Sequence, residues 1–210
     1  MKDVASHHHL NAIKQWLGSG AINIFGLPYA GKDTHGRSLA QLFDAPLLSG
    51  GEILRNSVVS PELKRQLDAG MLVPQDEYLN TVTPFLSKAE FAGKPLILSS
   101  VGRWIGEEEG VLAATEASGH PTKAVIYLHL GEAVMRQRWT KSQAEGDRGD
   151  RADDAEHAIA TRIQEFNEKT IPVIEAYRQK GLLIEVNSDA AKDEVLENIL
   201  ARLFLKASQD

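Results

Sequence analysis

The chain contains no cysteine, which excludes disulfides and thiolate-held zinc and fits a reducing compartment. It also lacks any apolar run near the roughly 20 residues needed to cross a bilayer, so no membrane partner is expected. The first twenty residues, MKDVASHHHLNAIKQWLGSG, show neither a continuous apolar stretch nor a small-residue cleavage pattern, and a cytoplasmic protein is the expectation. Positive charge is in deficit: 23 Lys and Arg stand against 29 Asp and Glu, a net of -6. A surface of that sign does not coat a polyanion, so nucleic acid is not an expected partner, although a local basic cleft is compatible with it. Internal repeats and low-complexity tracts are absent.

What is present suits one globular unit. With 210 residues, 42% hydrophobic and 25% charged, the chain can bury roughly 70% of its unfolded surface. Short apolar runs bounded by turn residues occur at 21–27 (AINIFGL), 46–50 (PLLSG), 95–100 (PLILSS), 124–130 (AVIYLHL) and 182–186 (LLIEV). Helical patterns separate them, so the expected fold is α/β, three layers with a parallel sheet flanked by helices. Leu10, Ile13, Trp16 and Leu17 repeat at helical spacing before Gly18, making 1–20 a helical extension to a main domain at 21–210. His7 to His9 are taken as solvated terminal sequence. Residues 50–94 are too long for a simple connection and suggest several helices broken at Pro61 and Pro74. A long helix is expected over 153–180, opening on Asp153 and Asp154 and closing at Gly181. The polar, glycine-containing TKSQAEGDRGDRADD before it suits a short mobile flap.

The chemistry is concentrated in IFGLPYAGKDTHG at 24–36. Gly26 and Gly31-Lys32 have the G-x-x-x-x-G-K spacing between an expected strand and an expected helix. Glycines in that setting let backbone N–H groups face phosphate oxygens, Lys32 reaches the β/γ-phosphates, and the helix start adds partial positive charge. The alternative is a glycine turn with a surface lysine; the flanking strand and helix favour phosphate. Where a metal-holding Ser or Thr usually follows the lysine, this chain has Asp33.

GLPYAGKDTH resembles the G-x-P-G-x-G-K-G-T-Q loop of adenylate kinases and related nucleoside monophosphate kinases, with Tyr29 and Asp33 replacing two glycines. The likeness continues in order. LLSGGEILR at 47–55 is similar to the family's S-T-G-D-x-L-R, GMLVPQDE at 70–77 to G-x-L-V-x-D-E, and LSSVGR at 98–103 to L-D-G-F-P-R. Residues 150–189 resemble the R-x-D-D…R-x-x-x-Y…P-x-x-x-Y…G end of short-flap members. The resemblance spans about residues 21–205.

It implies a monomeric kinase moving the γ-phosphoryl of ATP, with Mg²⁺, to a nucleoside monophosphate, AMP first and GMP or a deoxynucleotide behind it. Gly26, Tyr29, Ala30, Gly31, Lys32, Asp33 and Thr34 would hold ATP, with Arg138 facing it. Ser49, Gly50, Arg55, Val73, Gly102, Arg103 and Glu107 would surround the acceptor, and Arg151 and Arg162 would close over the transferring group. Lys32, Arg103, Arg138, Arg151 and Arg162 form the implied catalytic set, with 50–94 as the monophosphate-binding insertion and 139–152 as the lid. Rival readings are a kinase of another small metabolite and a nucleotide-binding module with little turnover.

Several positions depart from the family pattern. Ser99 stands where the family's strand-end Asp holds water on Mg²⁺. Either the metal-directing carboxylate has moved to Asp33, or Asp33 turns away, pairs with an arginine or marks a weak enzyme. Glu107 stands where adenylate kinases read adenine with Gln; a carboxylate would suit the N–H donors of guanine, unless the acidic run at 107–109 is a solvated helix face. Gly50 replaces a common Thr, and Ser142 a second flap Arg. Asp153 and Asp154 either orient flap arginines or favour the helix start.

Overall fold

A strand at the middle of a sheet covered on both faces must be apolar throughout, whereas an edge strand alternates. The computed structural model, which describes residues 2–57, 60–73, 75–145 and 155–209, follows that rule at its central strand and at one edge. Strand β1 (Ala21–Gly26) is buried along its whole length. It lies at the centre of a five-stranded sheet in the order β2-β3-β1-β4-β5, with β2 at Leu47–Ser49, β3 at Leu96–Ser99, β4 at Thr122–His129 and β5 at Leu183–Asn187. Every pairing is parallel. Edge strand β5 alternates, burying Ile184 and Val186 and exposing Glu185 and Asn187. The expected α/β architecture and all five expected strands are present.

The helices are α1 (Lys2–Leu17), α2 (Lys32–Phe43), α3 (Gly50–Asn56), α4 (Pro61–Asp68), α5 (Gln75–Leu86), α6 (Glu107–Ala117), α7 (Glu132–Glu145), α8 (Glu156–Glu165), α9 (Ile171–Gln179) and α10 (Lys192–Ala207). They enclose two cores. The larger contains Ile13 and Leu17 of α1 with Phe25, Leu39, Ile97, Ile126, Tyr177 and Ile199. The smaller contains Leu54, Leu63, Val73, Tyr78, Val82 and Leu86 from the 50–94 segment with Leu96 and Leu98. Successive residues of β3 thus serve different cores, as the two-residue period of a strand requires.

Three local outcomes differ from the sequence expectation. The flap expected from Thr140 is helical as far as Glu145, the end of α7, and its remainder lies outside the described residues. Helix α1 reaches back to Lys2, longer than the apolar positions at 10–17 suggest, and packs against α10. The single helix expected over 153–180 starts at Glu156 and is interrupted by a π-helical segment, Phe166–Thr170. Its cause is Pro172, which cannot donate to the ladder and whose ring crowds the carbonyl four residues back; widening the preceding turn relieves both problems. Asp153 and Asp154 lie outside the described residues.

One polar side chain organises the interior of the sheet. Asn23, fully buried in β1, donates from Nδ2 to the Val101 carbonyl at 2.7 Å and accepts from the Val101 N–H at Oδ1, 3.3 Å away. The loop leaving β3 is thereby fastened to the central strand. Replacing Asn23 with Ala strands both buried backbone groups. The expected loss is about 2 kcal/mol or more in urea denaturation, with Asn23→Ala also raising hydrogen exchange in residues 100–103.

Candidate active site

In an open parallel sheet, neighbouring strands whose connections leave on opposite sides open a crevice beyond their carboxyl ends. Here β1 lies between β3 and β4, and a cavity of about 710 Å³ occupies that position. The residues 26–34 wall one side of it. Gly26 has no substitute: a Cβ there would stand 2.8 Å from the Leu128 carbonyl of β4. Gly31, at φ 91°, turns the chain into α2 and offers no side chain to cap it, so the leading N–H groups of α2 are available to an anion. Lys32 Nζ donates to the carbonyls of Gly26 and Leu27, both at 2.8 Å, and so curls over the start of the loop. Ala30 is buried beneath it, while Tyr29 and Thr34 line the cavity.

Cationic side chains from four separate elements meet in the same cavity: Arg55 of α3, Arg103 from the loop after β3, Arg138 of α7 and Arg162 of α8. Arg138 donates to the Tyr29 carbonyl at 3.3 Å and the Ser188 carbonyl at 2.7 Å, tying α7 across the loop to the end of β5. His35, buried beneath Gly31, has its pKa lowered first by burial and then by Arg138 and Lys192. Asp33 also lines the cavity. The Ser99 hydroxyl, at the end of β3, donates to Asp33 Oδ1 at 3.0 Å, so the carboxylate is turned toward the site and the turned-away alternative is set aside.

The acceptor-side residues are arranged less simply. Ser49 lines the main cavity and caps α3 by accepting from the Glu52 N–H. Val73 and Glu107 line a second, much smaller cavity with Leu54, Leu72, Tyr78 and Arg103. Gly50 and Gly102 line neither cavity; both instead meet Tyr78, Gly50 by leaving it space and Gly102 by a hydrogen bond. A Cβ on Gly50 would stand 2.5 Å from the Tyr78 hydroxyl and 2.8 Å from the Ser100 carbonyl. Gly102, at φ 74°, donates its N–H to the same hydroxyl at 2.9 Å. Burial pushes the Tyr78 phenol well above its ordinary pKa, keeping it neutral.

The acidic run is not a solvated face. Glu107 is only 2% exposed and Glu108 is buried with it. Glu107 Oε2 accepts from the N–H groups of Arg103 at 2.7 Å and Trp104 at 3.0 Å, and Glu108 Oε2 accepts from Gly106 at 2.6 Å. The first turn of α6 therefore folds its carboxylates back onto its own positive end. Glu109 alone of the three is exposed, where it takes Lys180 at 2.6 Å. Burial raises the Glu107 pKa, and the Trp104 and Arg103 N–H groups oppose that rise.

Residues 24–182 match the family described as Adenylate kinase. The chain belongs to the adenylate kinase family. It is 32% identical over 182 residues to the adenylate kinase of Xanthomonas oryzae pv. oryzae, covering 84% of this chain and 95% of that one. It is 31% identical over 186 residues to an adenylate kinase of a Nocardioides species, covering 86% and 95%. The adenylate kinase of Clavibacter michiganensis is 32% identical over 185 residues, with 86% and 90% covered. Membership makes the chain an ATP-dependent phosphotransferase of the nucleoside monophosphate kinase class.

Within the family pattern, this member carries three unusual backbone positions. Tyr29, at φ 61°, and Ser100, at φ 53°, hold left-handed conformations where the resembled motifs have glycine; each costs about 1–2 kcal/mol for an L-residue. Gly102 holds φ 74° where the motif has proline, which could neither adopt that angle nor donate to Tyr78. Of the expected residues, Arg151 lies outside the described part. The sequence expectation missed His35, Asn23, Tyr78 and Thr170. For His35 a signal existed, since it follows the loop by one helical turn; the others act through buried contacts that no local pattern announces.

Two measurements follow. Gly50→Ala should cost about 1–3 kcal/mol by overpacking, and with Tyr78→Phe the loss should fall short of the sum of the single losses, because both changes act on one contact. For Glu107, the unfolded chain releases its proton near the ordinary 4.5 while the folded state holds it longer. Ionisation thus favours unfolding as pH rises through that window. The stability of Glu107→Gln relative to the parent should therefore increase with pH above 4.5 and level off once the folded carboxyl has ionised, as read from urea titrations at successive pH values.

Proposed function

We propose that this protein transfers the γ-phosphoryl of ATP to AMP, giving two ADP. The observation that carries this reading is one cavity that joins a phosphate loop to four arginines from four elements. Phosphoryl transfer needs little covalent help from a protein; it needs in-line placement and neutralisation of spreading negative charge. Lys32 and the N–H groups of 30–34 hold the donor phosphates, and Arg138 flanks them. Arg55 and Arg103 take the acceptor phosphate as forked, bidentate donors. Arg162, with Arg151 assigned by resemblance, neutralises the group in transit. Ser49, Gly50, Val73, Gly102 and Glu107 shape the acceptor side.

Residues 50–94 serve as the monophosphate-binding insertion, 139–152 as the lid, and 1–20 as an extension docked on the main domain. Among the described residues no helix is long and apolar enough to cross a membrane, and a cytoplasmic monomer is the proposed state. Mg²⁺ suits the oxygen donors present, the Asp33 carboxylate and Ser99 hydroxyl, since hard cations take oxygen ligands. Held there with ATP, it would supply positive charge against the phosphates during transfer.

GMP is the second acceptor to test, because the buried Glu107 carboxylate lines the small acceptor-side cavity and offers acceptors to guanine N–H groups when ionised. Turnover in a coupled assay with AMP, GMP and deoxynucleotide monophosphates, set beside nucleotide binding, separates these readings from a binding module. Lys32→Ala should abolish turnover with the melting temperature retained. Arg103→Ala should raise KM for the monophosphate about tenfold or more while leaving that for ATP within about twofold; equal losses on both sides would reverse the assignment.

A further inference from the structure

We infer that in this chain the carboxylate that directs the metal has been transposed from the end of β3 to the start of α2: Asp33 supplies the charge, and Ser99 holds it in place. This rests on the kinase reading above. The starting observation is the bond from Ser99 Oγ to Asp33 Oδ1 at 3.0 Å, which joins the last residue of β3 to the second residue of α2. The position of the carboxylate is set by rigid elements, since α2 packs against β3. One carboxylate oxygen thus lies a single hydrogen bond from the place a strand-end side chain would occupy.

The charge logic favours a cation there. Asp33 adjoins Lys32 in a loop whose N–H groups and helix start attract phosphate, and a carboxylate placed beside a triphosphate repels it. A divalent cation between the two turns repulsion into attraction. The donor set suits Mg²⁺, which keeps several waters and asks the protein for only one or two carboxylates alongside the phosphates. No cluster of three acidic or imidazole ligands exists among the described residues, and none is needed. Ser99 spends its one proton on Asp33, so its lone pairs remain to accept from a metal-bound water. Both groups line the same cavity as Lys32.

The test measures metal binding directly. Mn²⁺ is titrated into the protein with a non-hydrolysable ATP analogue, and free Mn²⁺ is counted by electron paramagnetic resonance. The affinity of the analogue without metal is measured by calorimetry. Asp33→Ala and the near-isosteric Asp33→Asn should each weaken Mn²⁺ about tenfold or more, the scale on which supporting groups act at metal sites. Metal-free analogue should bind Asp33→Ala as tightly as the parent or more so, because removing an anion relieves repulsion. Ser99→Ala should lose less than either. The double change Asp33→Gly with Ser99→Asp should recover Mn²⁺ affinity, since it returns a carboxylate to the other end of the same hydrogen bond. Unchanged Mn²⁺ affinity in Asp33→Asn overturns the inference, as does a parallel fall in metal-free binding, which would make Asp33 a support of the loop. A parent that fails to bind the analogue would overturn the kinase reading as well, so the two failures are distinguishable.

Discussion

The Asn23 amide, enclosed within the sheet, satisfies both backbone groups of Val101, and the position of Arg103 depends on that attachment. From Val101 onward the chain has no regular ladder to hold it until α6 begins. It is instead held group by group: Gly102 N–H by the Tyr78 hydroxyl, Arg103 N–H by Glu107, and the Arg103 carbonyl by Thr170 at 3.0 Å. Every one of these partners is buried. A guanidinium that must meet an anion at a fixed distance is thus carried on a backbone with little freedom, which is how a loop achieves the precision usually reserved for helices and strands.

The same economy governs charge. The chain is acidic overall, yet Lys32, Arg55, Arg103, Arg138 and Arg162 all border one crevice. Concentrating cations in a pocket with low-dielectric walls focuses the field on an incoming nucleotide while the acidic exterior keeps other polyanions away. Asp33 borders the same crevice, as do Glu145 and Glu165, and its bond to Ser99 keeps its position defined.

The frame was legible because its signals are local. Period and length marked five strands, and Gly26, Gly31 and Lys32 marked the turn where backbone meets phosphate. The ordered series of motifs identified the family. What was illegible depends on contacts between distant parts of the chain. Three consecutive glutamates look like a solvated face, and only the fold shows two of them turned inward onto their own helix start. Gly102 reads as a mere departure from a motif until Tyr78, 24 residues earlier, is seen to need its N–H. Pro172 signals a disturbance, but not that a widened turn would absorb it and present Thr170 to Arg103.

That widened turn also ties the acceptor side together. Glu165, immediately before it, accepts the Leu72 N–H at 2.9 Å and pairs with Lys169 at 2.7 Å. Lys169 in turn lies over the Trp104 ring, 4.1 Å from its centre. Gly70 lets the chain pass close by, since a Cβ there would meet the Ala158 carbonyl at 2.7 Å. The 50–94 segment and the Arg103 loop, far apart in sequence, are consequently berthed at the same short stretch of helix. Displacing the segment from that stretch breaks the Leu72 bond and frees Glu165 to compete for Lys169 alone, so the grip of Lys169 on Trp104 becomes a gauge of whether the segment is docked.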